Sequence, residues 1–181
     1  MFLIYLIIIG GSTFFIIHGY YQQLELQHRR EYEKLGALVS SLAIEMDGDE
    51  ISEMMKRYPN KDDIEGRDQD STYQKYSTWM KDALKANDVK SPMYLLEYDK
   101  ENDWFEYIIK SDANSYRHEY KQYPAVLLQQ MHKGGDIPEH ETENGVWISS
   151  FYPVKNSEGD VIGVLEADLN FTVFILSLIH I

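Results

Sequence analysis

The sequence predicts an α+β domain in which helices come first and antiparallel strands follow. Apolar residues recur at helical spacing until about residue 87, and after Pro92 the pattern changes to short aromatic and aliphatic runs separated by turns. A run of helices followed by a run of hairpin strands is typical of the α+β class. We therefore expect a sheet of about five antiparallel strands with a long N-terminal helix packed across one face.

The first helix is predicted to run without interruption from the N-terminal segment to residue 46, because neither Gly nor Pro occurs between Tyr20 and Gly36. Two shorter helices are expected, one over 49–57 capped by Asp49 and one over 71–87 opened by a Ser71–Gln74 capping box. The side of the long helix that should be buried carries Leu35, Leu38, Val39, Leu42 and Met46.

Two hairpins are expected in the second half of the chain, pairing 93–98 with 104–109 and 146–154 with 161–171. Between them, 111–123 is a polar, tyrosine-rich segment and is predicted to form a loop. Pro124 should open a short helix that Gly134-Gly135 closes, with loop following.

Composition excludes several classes of protein. The 181 residues include 17 Lys and Arg against 30 Asp and Glu, giving a formal charge of −13, which argues against a nucleic-acid partner. A disordered acidic tail is also excluded, because 44% of the residues are hydrophobic and 13% are aromatic. Without cysteine, the chain has no disulfide framework and no thiolate chemistry.

The N-terminal segment is predicted to be a transmembrane helix over 1–21, embedded in a lipid bilayer. Residues 1–24 contain no charged side chain, and Tyr20-Tyr21 suits the membrane–water interface. A cleaved signal peptide is the alternative, but it would need a basic start and a small-residue cleavage site. Basic residues after the span would by themselves place the following domain in the cytoplasm.

The C-terminal segment 171–181 is interpreted as the start of a second transmembrane helix that has been cut short. Residues 169–181 are uncharged. The last six residues, 176–181, also match the translation of a common sequencing adapter, so we interpret them as a library artefact.

No motif for catalysis, metal binding or a cofactor occurs in the chain, so none of these is predicted. Gly134-Gly135-Asp136 is followed by Ile137-Pro138 and does not continue as a nucleotide cyclase signature. The acidic loop within 62–70 lacks EF-hand spacing, and no two histidines stand four apart on one helix.

Asp168 is the first candidate for ligand binding, because it lies in an apolar strand where a carboxylate is costly unless it has a partner. Strand alternation puts it opposite Leu165, Ala167 and Leu169. If those three residues face the long helix, Asp168 faces a pocket; the alternative is a solvated residue at a strand end. Arg117 in the tyrosine-rich loop could hold an acid group, although an exposed surface arginine is the alternative.

The segment 147–171, WISSFYPVKNSEGDVIGVLEADLNF, resembles the C-terminal hairpin of single-Cache (PAS-like) sensor domains. The resemblance rests on a Trp/Ser/aromatic strand, a turn and a G-V-L-x-x-D strand, and it extends loosely over 25–171. It implies a cavity for a small ligand between the sheet and the loops, and a cytoplasmic output of the histidine kinase, nucleotide cyclase, phosphatase or chemotaxis type. It also implies ligand-binding roles for Tyr116, Arg117, Trp147, Tyr152 and Asp168.

The resemblance further implies that 22–170 is an extracytoplasmic sensor domain at the bacterial inner membrane. An amino acid or organic acid is the expected ligand, and a homodimer through the long N-terminal helix is the expected assembly. Two alternatives remain open: an anchored binding or enzyme domain with no cytoplasmic output, and a structural interaction domain without a ligand.

Overall fold

The computed structural model describes residues 2–142 and 145–172. In it, an antiparallel sheet carries a long helix on one face and a short helix with loops on the other. The helices are α1 (Phe2–Glu45), α2 (Gly48–Arg57), α3 (Ser71–Ala86) and α4 (Ala125–Gln130). The strands are β1 (Met93–Asp99), β2 (Trp104–Lys110), β3 (Glu119–Tyr120), β4 (Gly135–Thr142), β5 (Gly145–Lys155) and β6 (Val161–Asn170).

The sheet has six strands in the order β3-β2-β1-β6-β5-β4, and every neighbouring pair is antiparallel. The predicted hairpins β1–β2 and β5–β6 both form, and β1 pairs with β6 to join them at the centre. The two strands at the edges, β3 and β4, fall in segments that were predicted to be loops. The α+β prediction is confirmed, with one strand more than the five expected.

Helix α1 buries the predicted face against the sheet. Leu35, Leu38, Leu42 and Met46 expose 0%, 7%, 7% and 5% of their surface, and they join one apolar cluster with residues of β5 and β6. Their helical spacing places these four side chains on one face of α1, so they are buried together when that face packs on the sheet. Ile44 on the opposite side of the same helix is 71% exposed.

The starts of α2 and α3 differ from the prediction by one or two residues. Asp47, not Asp49, caps α2 by accepting hydrogen bonds from the backbone N–H groups of Asp49 and Glu50 at 3.0 and 3.1 Å. Asp70, not Ser71, caps α3, and it also binds Arg57 at 2.8 Å. In each case an aspartate that precedes the predicted cap reaches two free N–H groups of the first turn.

A second apolar cluster covers the face of the sheet that is turned away from α1. It joins α4 to the strands and is bordered by half-buried tyrosines. Its buried members are Tyr94, Leu96, Phe105, Leu127, Ile137, Phe151 and Val164. The sheet is therefore packed on both faces, so side chains can be buried from solvent on either face.

The N-terminal half of α1 projects from the domain with its large apolar side chains exposed, among them Ile4, Phe15 and Ile16 at 61%, 73% and 72%. Over residues 2–142 and 145–172, no helix has the length and apolar character that crossing a membrane requires. The predicted second span and the suspected artefact at 176–181 lie outside the described residues, apart from the first two positions of that span.

The end of β6 meets α1 where the chain enters and leaves the domain. The ring of His28 lies edge-on to Phe171, with centroids 4.1 Å apart. Tyr32 donates a hydrogen bond to the carbonyl of Ile137 at 3.0 Å, and Val146 N–H donates to Thr172 Oγ1 at 2.7 Å. The last strand and the first helix are thus in direct contact.

Candidate ligand-binding site

Two carboxylates of β6 lie on the face of the sheet away from α1. Leu165 and Ala167 belong to the cluster that packs on α1, so strand alternation turns Glu166 and Asp168 to the other side. Leu169 also packs towards α1. The predicted orientation of β6 is therefore the one that the structure shows.

Asp168 is half-buried and accepts hydrogen bonds on both of its oxygens. Tyr94 donates to Oδ2 and Ser149 donates to Oδ1, each at 2.7 Å. Burial raises the pKa of Asp168, although these two hydroxyls favour the ionised form and act in the opposite direction.

Glu166 is fully buried, and neither of its carboxylate oxygens has a hydrogen-bond partner. It pairs across the sheet with Tyr94, but the single proton of the Tyr94 hydroxyl is donated to Asp168. Burial, and then the negative charge of Asp168, raise the pKa of Glu166 well above its ordinary value, although the nearby Tyr94 hydroxyl acts in the opposite direction. This carboxyl group is the least satisfied polar group on this face among the described residues.

Three tyrosines surround the two carboxylates. The ring of Tyr94 lies edge-on to Tyr107 at 5.2 Å and to Tyr120 at 6.4 Å, and the rings of Tyr107 and Tyr120 stack at 5.6 Å. Burial and the nearby carboxylates raise the pKa of Tyr107 to about 12, so its phenol stays protonated at neutral pH. We call Glu166, Asp168, Tyr94, Tyr107 and Tyr120 the carboxylate–tyrosine cluster.

Of the other predicted site residues, Trp147 shares the Asp168 face and Tyr152 does not. Trp147 lies two positions before Ser149 on β5, and its indole N–H donates to Thr142 Oγ1 at 3.0 Å. Tyr152 has the opposite parity and packs against the α1 cluster. The two aromatic residues therefore cannot line one wall.

Tyr116 and Arg117 are held on the α1 side by the end of α2. The Tyr116 hydroxyl donates to the carbonyl of Tyr58 at 2.7 Å, and its ring is buried beside Tyr73. Arg117 donates to Glu97 at 3.0 Å and to Glu106 at 2.7 Å. The residues that were expected to line one pocket wall therefore lie on two different faces of the sheet.

Arg117 borders a separate cavity of about 630 Å³ at the end of β1 and the start of β6. Although burial lowers it, the pKa of Arg117 is raised by the hydrogen bond to Glu106 and by the charge of Glu97. Both carboxylates that it binds belong to this chain, so its guanidinium is already engaged. The lining of the cavity is mixed: it includes the apolar side chains of Met55, Leu128, Met131 and Ile162 and the charged side chains of Lys56, Glu97, Lys100 and Arg117.

Sequence reasoning missed Glu166 and Tyr94 as site residues. The signal for Glu166 was present, because it stands two positions before Asp168 and therefore has the same strand parity. Tyr94 could be placed only when the pairing of β1 with β6 was known. In the described part of the chain, no group of three or more His, Asp or Glu side chains is arranged to hold a metal ion.

Comparison with known proteins rests on structure, because no family model and no curated protein matches the sequence. The sensor domain of the V. cholerae histidine kinase DctB superposes with a TM-score of 0.62 at 9% identity, over 93% of this chain and 60% of that one. The E. coli DcuS sensor domain gives 0.51 at 15% identity, over 83% and 95% of the two chains. The ligand-binding domain of the Campylobacter jejuni chemoreceptor Tlp3, in complex with L-valine, gives 0.50 at 14%, over 91% and 60%.

The chain has the fold of Cache-like extracytoplasmic sensor domains. It spans about 60% of the length of the V. cholerae and C. jejuni domains. Within this Cache-like fold, the carboxylate–tyrosine cluster lies on the face of the sheet opposite the long helix.

Proposed function

We propose that the domain is the small-ligand-sensing input domain of a membrane-bound signal-transduction receptor, with the ligand held at the carboxylate–tyrosine cluster. The fold supports this proposal, because solved domains with the same architecture are the sensor domains of the histidine kinase DctB and of DcuS and the ligand-binding domain of the chemoreceptor Tlp3. The α1 face of the sheet is filled by a helix, and the carboxylate–tyrosine cluster lies on the opposite face, next to the apolar cluster of α4.

The observation that carries the proposal is the buried carboxylate pair. A carboxylate removed from water without a partner destabilises a fold, and two adjacent ones repel each other. Glu166 is such a group, and Asp168, half-buried and hydrogen-bonded by Tyr94 and Ser149, lies two residues further along the same face. A bound cation would compensate the negative charges of both carboxylates. Binding of a positively charged ligand would therefore explain why two carboxyl groups occur at this place.

Ligand binding can be tested by thermal shift of the complete chain in detergent against amines, amino acids and carboxylates. We expect a hit among the compounds that carry a positive charge, and we expect Asp168→Asn to abolish it. The matched control is Glu97→Gln, which removes one negative charge on the α1 side and should leave the hit unchanged. No hit in the panel, or hits that survive Asp168→Asn, would contradict the proposed site.

We further propose that residues 1–21 anchor the domain in a lipid bilayer and that 22–170 lies outside the cytoplasm of a bacterial cell. The uncharged N-terminal sequence supports the anchor, and the shared fold of extracytoplasmic sensor domains supports the location. Homodimerisation through α1 is part of the same proposal; the exposed Leu26 and Ile44 on that helix support it.

The location predicts the labelling of a single introduced cysteine. Because the chain has no cysteine, Asp68→Cys in the exposed loop before α3 provides one unique thiol. In intact cells it should react with a membrane-impermeant maleimide. Val39→Cys, at a fully buried position of α1, is the control that should stay unlabelled. If Asp68→Cys reacts only after cell lysis, the domain lies in the cytoplasm.

An anchored binding or enzyme domain without cytoplasmic output is the alternative. The genomic reading frame beyond codon 175 discriminates the two functions. A continuing apolar segment followed by a signalling domain supports a receptor, whereas a stop codon at that point contradicts it.

A further inference from the structure

We propose that the ligand carries a guanidinium or amidinium group, whose paired N–H donors bind both oxygens of Glu166. This inference rests on the proposed function and defines the chemical class of its ligand. It follows from four properties of the carboxylate–tyrosine cluster: its hydrogen-bond demand, its burial, its aromatic walls and its cover.

The hydrogen-bond demand of the two carboxylates is unequal. Asp168 receives one hydroxyl proton on each oxygen, from Tyr94 and Ser149. Glu166 receives none on either oxygen, although it is fully buried. What the site lacks is therefore a pair of donors for the two oxygens of one carboxylate. The parallel N–H groups of a guanidinium or amidinium supply that pair, because their spacing matches a carboxylate in bidentate fashion.

Burial of the site favours a guanidinium over a simple ammonium as the charged group of the ligand. An ammonium is strongly hydrated, and desolvation lowers its pKa, so it tends to lose its charge in an enclosed site. A guanidinium is weakly hydrated and remains charged under the same conditions. Glu166 is fully buried, and Asp168 lies about 7 Å along the same strand face. Such a site favours the cation that keeps its charge after it leaves water.

The aromatic walls fit a flat cation. Planar cations stack on tyrosine rings, and guanidinium does so more effectively than ammonium because it is itself planar. The ring of Tyr107 already attracts a cation of this chain, since Lys110 Nζ lies 4.6 Å from its centroid. The ring of Tyr94 lies beside the rings of Tyr107 and Tyr120.

The cover over Glu166 on the side of the tyrosines is thin. Tyr107 and Tyr120 are only half-buried, whereas Glu166 behind them is fully enclosed. Tyr120 belongs to β3, an edge strand of two residues that pairs with β2 at Phe105 and Glu106. The backbone just before β3 is also bound to β2, because Tyr107 exchanges hydrogen bonds with Arg117 and His118.

The test compares two probes that differ only in the charged group, butylguanidinium and butylammonium, by isothermal titration of the complete chain in detergent. We expect butylguanidinium to bind at least about tenfold more tightly. Glu166→Gln should weaken its binding by about tenfold or more, since one oxygen of the bidentate acceptor becomes a donor. Glu97→Gln on the opposite face should leave the affinity unchanged.

Equal or tighter binding of butylammonium would overturn the inference, as would guanidinium binding that Glu166→Gln leaves intact. A circular dichroism spectrum and melting curve for Glu166→Gln show that the variant is folded, and Glu166→Met is the second variant if it is not. If another ligand class binds and depends on Asp168, the sensor proposal survives and the guanidinium inference fails. If no compound of any class binds, both fail.

Discussion

Replacing Leu35 with aspartate should lower the free energy of unfolding by about 4 kcal/mol or more, the largest effect expected for a single change in this chain. Leu35 is fully buried in the cluster that joins α1 to β5 and β6. The substitution removes an aliphatic side chain from that cluster and places a carboxylate there without a partner. Chemical denaturation followed by circular dichroism measures the loss.

The matched control is Thr78→Asp on α3. Thr78 is exposed and lies outside the proposed dimer interface, so the new charge remains in water and the free energy of unfolding should change by only about 0.5 kcal/mol. If the two variants melt alike, α1 is not packed on the sheet through the face that carries Leu35.

Replacing Glu166 with methionine should raise the free energy of unfolding at neutral pH by about 1–3 kcal/mol, because it removes a buried polar group that has no partner. Methionine is unbranched and close in volume, so it can occupy the same space. The gain in stability should coincide with loss of ligand binding, as is common where a binding site is built at the expense of stability.

The same change should alter how stability depends on pH. Burial raises the pKa of Glu166 above its ordinary value of 4.5, so the folded state retains a proton that the unfolded chain has released. Stability of the parent chain should therefore fall as pH rises from about 4.5 towards the folded-state pKa. Asp168 contributes in the same direction, because its pKa is also raised.

In the Glu166→Met variant, this decline in stability with pH should be smaller. The hydroxyls facing Glu166 and Asp168, those of Tyr94, Tyr107, Tyr120 and Ser149, stay protonated in both proteins, because burial raises the pKa of each of the three phenols. The more distant charges of Lys110 and His140 act on Asp168 and lower its pKa. Melting temperatures of both proteins between pH 5 and 8 measure the difference. Parallel curves would show that Glu166 is not the source of the pH dependence.

Elements with a strong local pattern were predictable from the sequence. The buried face of α1 follows from the spacing of Leu35, Leu38 and Leu42, and the direction of Asp168 follows from alternation along β6. Strand β4 was not predictable, because Ile137 is its only buried residue and Pro138 lies at a register shift. An edge strand with mostly exposed side chains lacks the apolar alternation that identifies a strand.

Which residues form the candidate site is decided by tertiary contacts, and these cannot be read from local sequence patterns. Arg117 has a backbone φ of 55°, a left-handed conformation, and its side chain lies by the end of α2, where Glu97 and Glu106 bind it. The guanidinium of Arg117 suggested binding of an acid group of the ligand, but it already forms ion pairs with Glu97 and Glu106. Glu166 had the correct parity, and only the structure shows that it lacks a partner.

The contact between Phe171 and His28 makes the route from the proposed binding site to α1 very short. Asp168 precedes Phe171 by three residues, which in extended backbone is about 10 Å. The ring of Phe171 meets the ring of His28 edge-on, with 4.1 Å between the centroids. If the domain is a receptor as proposed, a shift of β6 along its axis on ligand binding would reach α1 through this single ring contact.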